Sequence, residues 1–231
     1  MKISKLLVFL LCATLTANAQ PNYQAYNSIL SKYVSNTGEV DYKALKRNTV
    51  LLKRVTQDFS RQSPSSQWSN AEQLAFWINA YNVFTLQLIV DNYPLKSIMD
   101  LDGGKTWDVK RINIGGKLYS LNQIENDIIR PQFKDPRIHF ALNCAAKSCP
   151  PLYNKAYLPA QLDSQLDERT RAFIRSNSNT LNEKAVIISR IFEWYKSDFG
   201  DLPVFLNKYA GVKISPQAKI IYADYNWSLN E

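Results

Sequence analysis

A helix-rich α+β fold with a small, mostly antiparallel sheet is what this sequence predicts, as a single globular body over residues 20–231. Apolar residues recur at helical spacing through most of the chain. Strand-like runs are few, short and not consecutive. Gly115-Gly116, flanked by Val109, Ile112, Ile114, Leu118 and Leu121, reads as a tight two-residue hairpin turn.

The elements follow in order. Tyr26, Ile29, Leu30 and Tyr33 form one stripe of a helix over Tyr23–Tyr33, which Gly38 closes off. A second helix is expected from Asp41 to Phe59. Ser69 and Glu72 form a capping box that opens the most hydrophobic helix, which runs through Phe76, Trp77, Val83 and Ile89 and stops before Pro94. It is apolar around most of its circumference and is expected to be central and buried. Asn79 and Asn82 lie three apart on it and share a face. Beyond the hairpin, Ser120 and Gln123 cap a short helix that should end at Pro131. Ile138–Leu142 reads as a buried strand and Pro150-Pro151 as a forced turn. A helix over Leu162–Ile174, a strand at Ala185–Ile188, a helix through Ile191–Tyr195, another near Val204–Tyr209 and a strand at Lys219–Tyr222 complete the chain. The five tryptophans are expected in or near the core.

The N-terminus has the layout of a secretory signal peptide: Lys2 and Lys5, an apolar run from Leu6 to Ala13, then Ala17-Asn18-Ala19 before Gln20. That run is far short of the roughly 20 residues needed to span a bilayer. Cleavage after Ala19 and an exported, periplasmic or extracellular location are expected, with no transmembrane segment thereafter. Loss of Lys2 and Lys5 lowers the formal charge from +8 to +6. A mildly basic exported protein meets cell-envelope peptides and anionic polymers. The basic residues form no run, and export argues against nucleic acid.

One segment concentrates chemistry. His139 is the only histidine; Cys144 and Cys149 are the only cysteines after the signal. A cysteine hydrolase or acyltransferase needs a thiolate and a base, normally histidine, to keep it deprotonated. Cys144 is the expected nucleophile and His139 the base, with Glu125, Asn82 and Asn79 as candidates to orient the imidazole. A continuous strand from 139 to 144 would hold the two groups roughly 16 Å apart on opposite faces, so this reading requires a sharp turn after Leu142. The alternative is a non-enzymatic envelope module stapled by a Cys144–Cys149 disulfide over a buried His139. A redox dithiol is a third reading, although the spacer is longer than in Cys-x-x-Cys. Asn79 and Asn82 read equally as buried amides. No cofactor or metal site is expected, since His139, Cys144 and Cys149 are a thin ligand set without zinc-finger spacing.

Phe76-Trp77-Ile78-Asn79-Ala80-Tyr81-Asn82, Ile112-x-Ile114-Gly115-Gly116 and Ser120-Leu121-x-x-Ile124-Glu125 are followed by Asp135–Cys144 and Ser148-Cys149-Pro150-Pro151-Leu152. Ile191-Phe192-x-Trp194-Tyr195-x-x-Asp198-Phe199-Gly200 and Tyr225–Asn230 close the series. Together they resemble domain-of-unknown-function family 547 over a core of about residues 60–231. The resemblance implies no activity, substrate or cofactor; it maps the family's signature segment onto His139, Cys144 and Cys149. Family members often have Val or Ser before the first cysteine and Gly after it, where this chain has Asn143 and Ala145. A side chain at 145 makes a left-handed turn there less comfortable.

Overall fold

The structure, a computed structural model, describes residues 21, 23–62 and 64–231. The expected signal peptide lies outside the described residues. Helix α1 (Tyr23–Tyr33) buries Tyr26, Ile29, Leu30 and Tyr33, one stripe at i, i+3, i+4 and i+7. The single helix expected from Asp41 to Phe59 is instead two, α2 (Tyr42–Arg47) and α3 (Val50–Ser60). Asp41 caps α2 by accepting from the Ala44 N–H, and Asn48 leaves helical geometry at φ −138°. This break turns both short helices onto the same partner, α4 (Asn70–Asn92).

Helix α4 is the centre of the molecule. Ser69 and Glu72 form the reciprocal capping box at its start, and every residue from Leu74 to Val83 is buried. Phe59, Trp68 and Trp77 pack around Phe76 at ring separations of 5.3–5.5 Å. The hairpin β1 (Ile112–Ile114) and β2 (Lys117–Tyr119) turns through Gly115 and Gly116, both at positive φ as a two-residue turn of this hand requires.

Two expectations fail in the next stretch. The helix begun at Ser120 does not end at Pro131. Residues Gln123–Ile129 wind as a π-helix that passes directly into α5 (Arg130–Phe133). The Arg130 N–H bonds the Glu125 carbonyl five residues back, and this wider turn accepts Pro131. The strand expected at Ile138–Leu142 is a 3₁₀ turn, Pro136–Phe140. Asp135 caps it by accepting from the Arg137 N–H, and Pro136 occupies its first position; this start signal prevails over the apolar run behind it.

The C-terminal part contains α6 (Leu162–Ile174), then β3 (Thr180–Leu181), β4 (Ala185–Ile188) and β5 (Lys219–Tyr222), with α7 (Ile191–Trp194), α8 (Lys196–Phe199) and α9 (Leu202–Asn207) between β4 and β5. Strand β4 pairs antiparallel with β3 and parallel with β5. The fold is therefore helix-rich α+β with two small separate sheets, one of them mixed. Its interior has two parts. One surrounds α4; the other is a phenylalanine cluster in which Phe140 meets Phe173, Phe192, Phe199 and Phe205. Residues 138–149 run along the seam between them. Among the described residues no helix is long and apolar enough to cross a membrane.

Candidate functional site

The turn that Cys144 requires is made by Ala145, which adopts φ +63° although it is not glycine. Such a conformation costs an alanine on the order of 1 kcal/mol, so its surroundings must hold it. They do so with buried amides. Asn143 Oδ1 accepts from the Ala145 N–H, and Asn143 Nδ2 donates to the Pro150 carbonyl. Asn82, reaching from α4, donates to the Ala141 carbonyl and accepts from the Asn143 N–H. Asn230 approaches from the far end of the chain: its N–H donates to the Ala145 carbonyl, while Tyr42 donates to its side chain. Asn79 grips the Tyr157 backbone in the same two-handed way. Asn79 and Asn82 are thus buried amides that fix backbone, and neither approaches the imidazole.

The left-handed turn brings together two thiols five residues apart. Both cysteines are free, not joined in the expected alternative disulfide. The Cys144 N–H donates to Cys149 Sγ at 2.9 Å, and the Cys149 thiol donates to the Leu142 carbonyl at 3.7 Å. Cys144 Sγ lies 3.3 Å from the Tyr225 hydroxyl. The neighbouring Cys149 thiol foremost, and then the Tyr225 hydroxyl, bring the Cys144 thiol below its ordinary range despite burial. Burial pushes the Cys149 thiol well up. The pair is asymmetric: one sulfur is disposed to be a thiolate and the other keeps its proton.

His139 lies on the opposite wall. Its Nε2 is 2.8 Å from Asp198 Oδ2, and Nδ1 is 3.9 Å from Glu125 Oε1. The ring stacks on Tyr195 at 4.0 Å. Burial outweighs the pull of Asp198 and lowers His139 to about 4, so the imidazole is neutral at pH 7. Arg130 holds the Asp198 carboxyl well below the usual carboxylate range through two hydrogen bonds of 2.7 and 2.8 Å. A neutral ring beside an anion donates from Nε2, which leaves Nδ1 as a lone pair facing Glu125. Glu125 projects from the π-helix into the interior, where burial raises its carboxyl while the Tyr195 and Tyr81 hydroxyls pull it back. The imidazole is therefore oriented by Asp198, not by Asn82, and its two nitrogens face carboxyl groups.

Glu125, His139, Cys144 and Cys149 share a cleft of about 180 Å³. Its rim is aromatic. Trp194, Tyr225 and Trp227 lie 4.6–5.9 Å apart, with Trp107 against Trp227. Trp194 is 46% exposed and departs from the expected core or near-core position; Trp107 and Trp227 pack against the core and Trp68 and Trp77 are within it. Among the described residues, no Lys or Arg lines the cleft. Among the described residues no group of three or more His, Cys, Asp and Glu side chains is placed to hold a metal ion.

Sequence reasoning missed Asp198, Arg130, Tyr195 and Tyr225 as site residues. Asp198 and Tyr195 sit in the motif Ile191–Gly200, and Tyr225 opens the terminal motif, so the signal lay in segments remote from the cysteines. No curated protein and no solved structure matches the chain. Residues 65–174, which hold α4, Glu125, His139 and both cysteines but not Asp198 or Tyr225, match the family described as "Protein of unknown function, DUF547", and the chain carries a domain of that family.

Proposed function

We propose that the cleft is the active site of a thiol-dependent hydrolase or acyltransferase, with Cys144 as nucleophile. The observation that carries the reading is the Cys144 sulfur facing a cleft with the Tyr225 hydroxyl 3.3 Å away and Cys149 Sγ held on the Cys144 N–H beside it. That environment supports a thiolate without a histidine in direct contact. The thiolate attacks an acyl carbon, and the S–C bond forms as the carbonyl π electrons move to oxygen. Collapse of the adduct expels the leaving group, which takes a proton from the Glu125–His139 pair. Water, or an amine or alcohol acceptor, then attacks the thioester, and the same pair recovers the proton. Asp198 keeps the imidazole in the tautomer this requires.

Substrate size follows from volume. A cleft of about 180 Å³ is close to cavities of roughly 150 Å³ that hold a benzene, so it takes one acyl group or side chain of a longer molecule. Peptide or amide bonds of the cell envelope suit both this size and the export expected from Lys2, Lys5 and the apolar run. An anionic polymer would engage the basic surface outside the cleft, whose lining holds no Lys or Arg among the described residues.

Mixing the reduced protein with p-nitrophenyl acetate and reading intact mass tests the reading. A single acetyl adduct that maps to Cys144 and is absent from Cys144→Ala is expected. No adduct, or equal acetylation of the variant, would overturn it.

A further inference from the structure

We infer that Cys144 and Cys149 form a peroxide-reacting dithiol, in which Cys144 takes the oxygen and Cys149 resolves it to a disulfide. The inference goes beyond acyl transfer and does not depend on it. It rests on contact, since the Cys144 backbone N–H donates directly to Cys149 Sγ at 2.9 Å. The five-residue spacing would not by itself suggest a redox pair. Ala145 at φ +63° closes that distance. It also rests on asymmetry and access. Cys144 is half-buried at the cleft and Cys149 is buried behind it, so an oxidant entering the cleft meets Cys144 first.

The chemistry balances with a hydroperoxide as oxidant. The Cys144 thiolate attacks the terminal peroxide oxygen, an S–O bond forms and the O–O bond breaks. The leaving alkoxide or hydroxide takes a proton and departs as alcohol or water. Sulfur has lost two electrons and is now a sulfenic acid. Cys149 Sγ attacks the Cys144 sulfur; the S–S bond forms, the S–O bond breaks, and hydroxide departs as water with the Cys149 proton. With Cys149 Sγ already on the Cys144 backbone N–H, closure to an S–S bond of about 2 Å is a movement within the 144–149 turn. An external dithiol restores both thiols by exchange. In the disulfide form Cys144 is no longer a nucleophile, so peroxide also silences any acyl chemistry at the cleft.

The test uses the whole reduced protein and hydrogen peroxide. One equivalent should remove two hydrogen atoms from the intact mass. Tryptic digestion, which cuts after Lys147 between the cysteines, should yield two peptides joined by a bridge that dithiothreitol opens. Cys149→Ser should stop at a Cys144 sulfenic acid captured by dimedone. Cys144→Ser should oxidise Cys149 more slowly than wild type, by on the order of tenfold or more. Wild-type protein in which Cys144 proceeds to sulfinic acid while Cys149 still alkylates would overturn the inference. So would a Cys144→Ser protein that oxidises Cys149 at the wild-type rate. The acetylation experiment is read separately on the same wild-type sample. A bridge without an acetyl adduct sinks acyl transfer alone, and an adduct without a bridge sinks the dithiol alone.

Discussion

His139 and Asp198, 59 residues apart, meet at 2.8 Å, and Arg130 clasps both oxygens of the same carboxylate, sharing Oδ2 with His139. This contact joins the seam segment to α8 and fixes which imidazole nitrogen is free. Asp198→Asn keeps the shape but can present its amide N–H to Nε2 and reverse the tautomer. If Cys144 is acylated as proposed, the variant should retain labelling of Cys144 yet lose deacylation by on the order of 10²-fold or more, read as accumulation of the acetyl adduct.

His139 also predicts how stability responds to acid. Its folded-state value of about 4 lies below its unfolded value of about 6.5, so the unfolded chain binds the extra proton between them. The contribution is fully present above 6.5 and is lost as pH falls toward 4, up to about 3 kcal/mol. Asp198, also lowered, adds an acid-side loss at still lower pH. Glu125 has the opposite sign: its raised folded-state value gives stability that is present at low pH and lost as pH rises through that value. Urea midpoints should therefore drop from pH 6.5 to 4.5 in the wild type, and Glu125→Gln should flatten the loss on the neutral side. A wild-type midpoint that rises toward pH 4.5 would refute the assignment.

How much of this was legible in the sequence differs by residue. The capping box at Ser69 and the hairpin at Gly115-Gly116 are local signals that were readable and hold. The 3₁₀ turn at Pro136 was also written locally, in Asp135-Pro136, but the apolar run Ile138–Leu142 masked it because burial on two sides looks alike in a strand and a turn. The break at Asn48 arises from packing both α2 and α3 on α4, a tertiary demand with no local mark. The partners of Cys144 and His139 were illegible for the same reason. Tyr225 and Asp198 arrive from 81 and 59 residues away, and spacing along the chain carries no information about that.

Asn82 should matter for stability more than its size suggests. Asn82→Ala leaves the Ala141 carbonyl and the Asn143 N–H buried without their partner, a loss of about 3 kcal/mol by equilibrium denaturation. If the buried amide also secures the Cys144 turn, iodoacetamide labelling of Cys144 should lose its low-pH component in the same variant.

Ala145→Gly should be nearly neutral, within about 0.5 kcal/mol. Glycine relieves the left-handed strain but loses a similar amount through its more flexible unfolded chain. Ala145→Val should destabilise strongly, because a β-branched side chain resists this φ and position 145 is fully buried. A denaturation series on the two variants distinguishes backbone strain from side-chain packing.

Tyr225→Phe removes one donor from the Cys144 sulfur while keeping the ring against Trp194 and Trp227. A hydrogen bond to a charged group contributes about 1.5 kcal/mol or more, so iodoacetamide labelling of Cys144 below pH 8 should slow roughly tenfold. Unchanged labelling would show that the hydroxyl does not serve the thiolate.

The segment from Tyr225 to Asn230 lies as a strap across the seam. Ser228 bridges to Ser97 and Leu229 to Ala146, while Asn230 braces the turn at Ala145. A ribosome makes this strap after every other part of the cleft. Until it docks, Cys144 lacks its phenol partner, the cleft lacks one wall and the left-handed turn lacks its outer brace. If Cys144 is the nucleophile proposed above, its full environment exists only once this strap has docked.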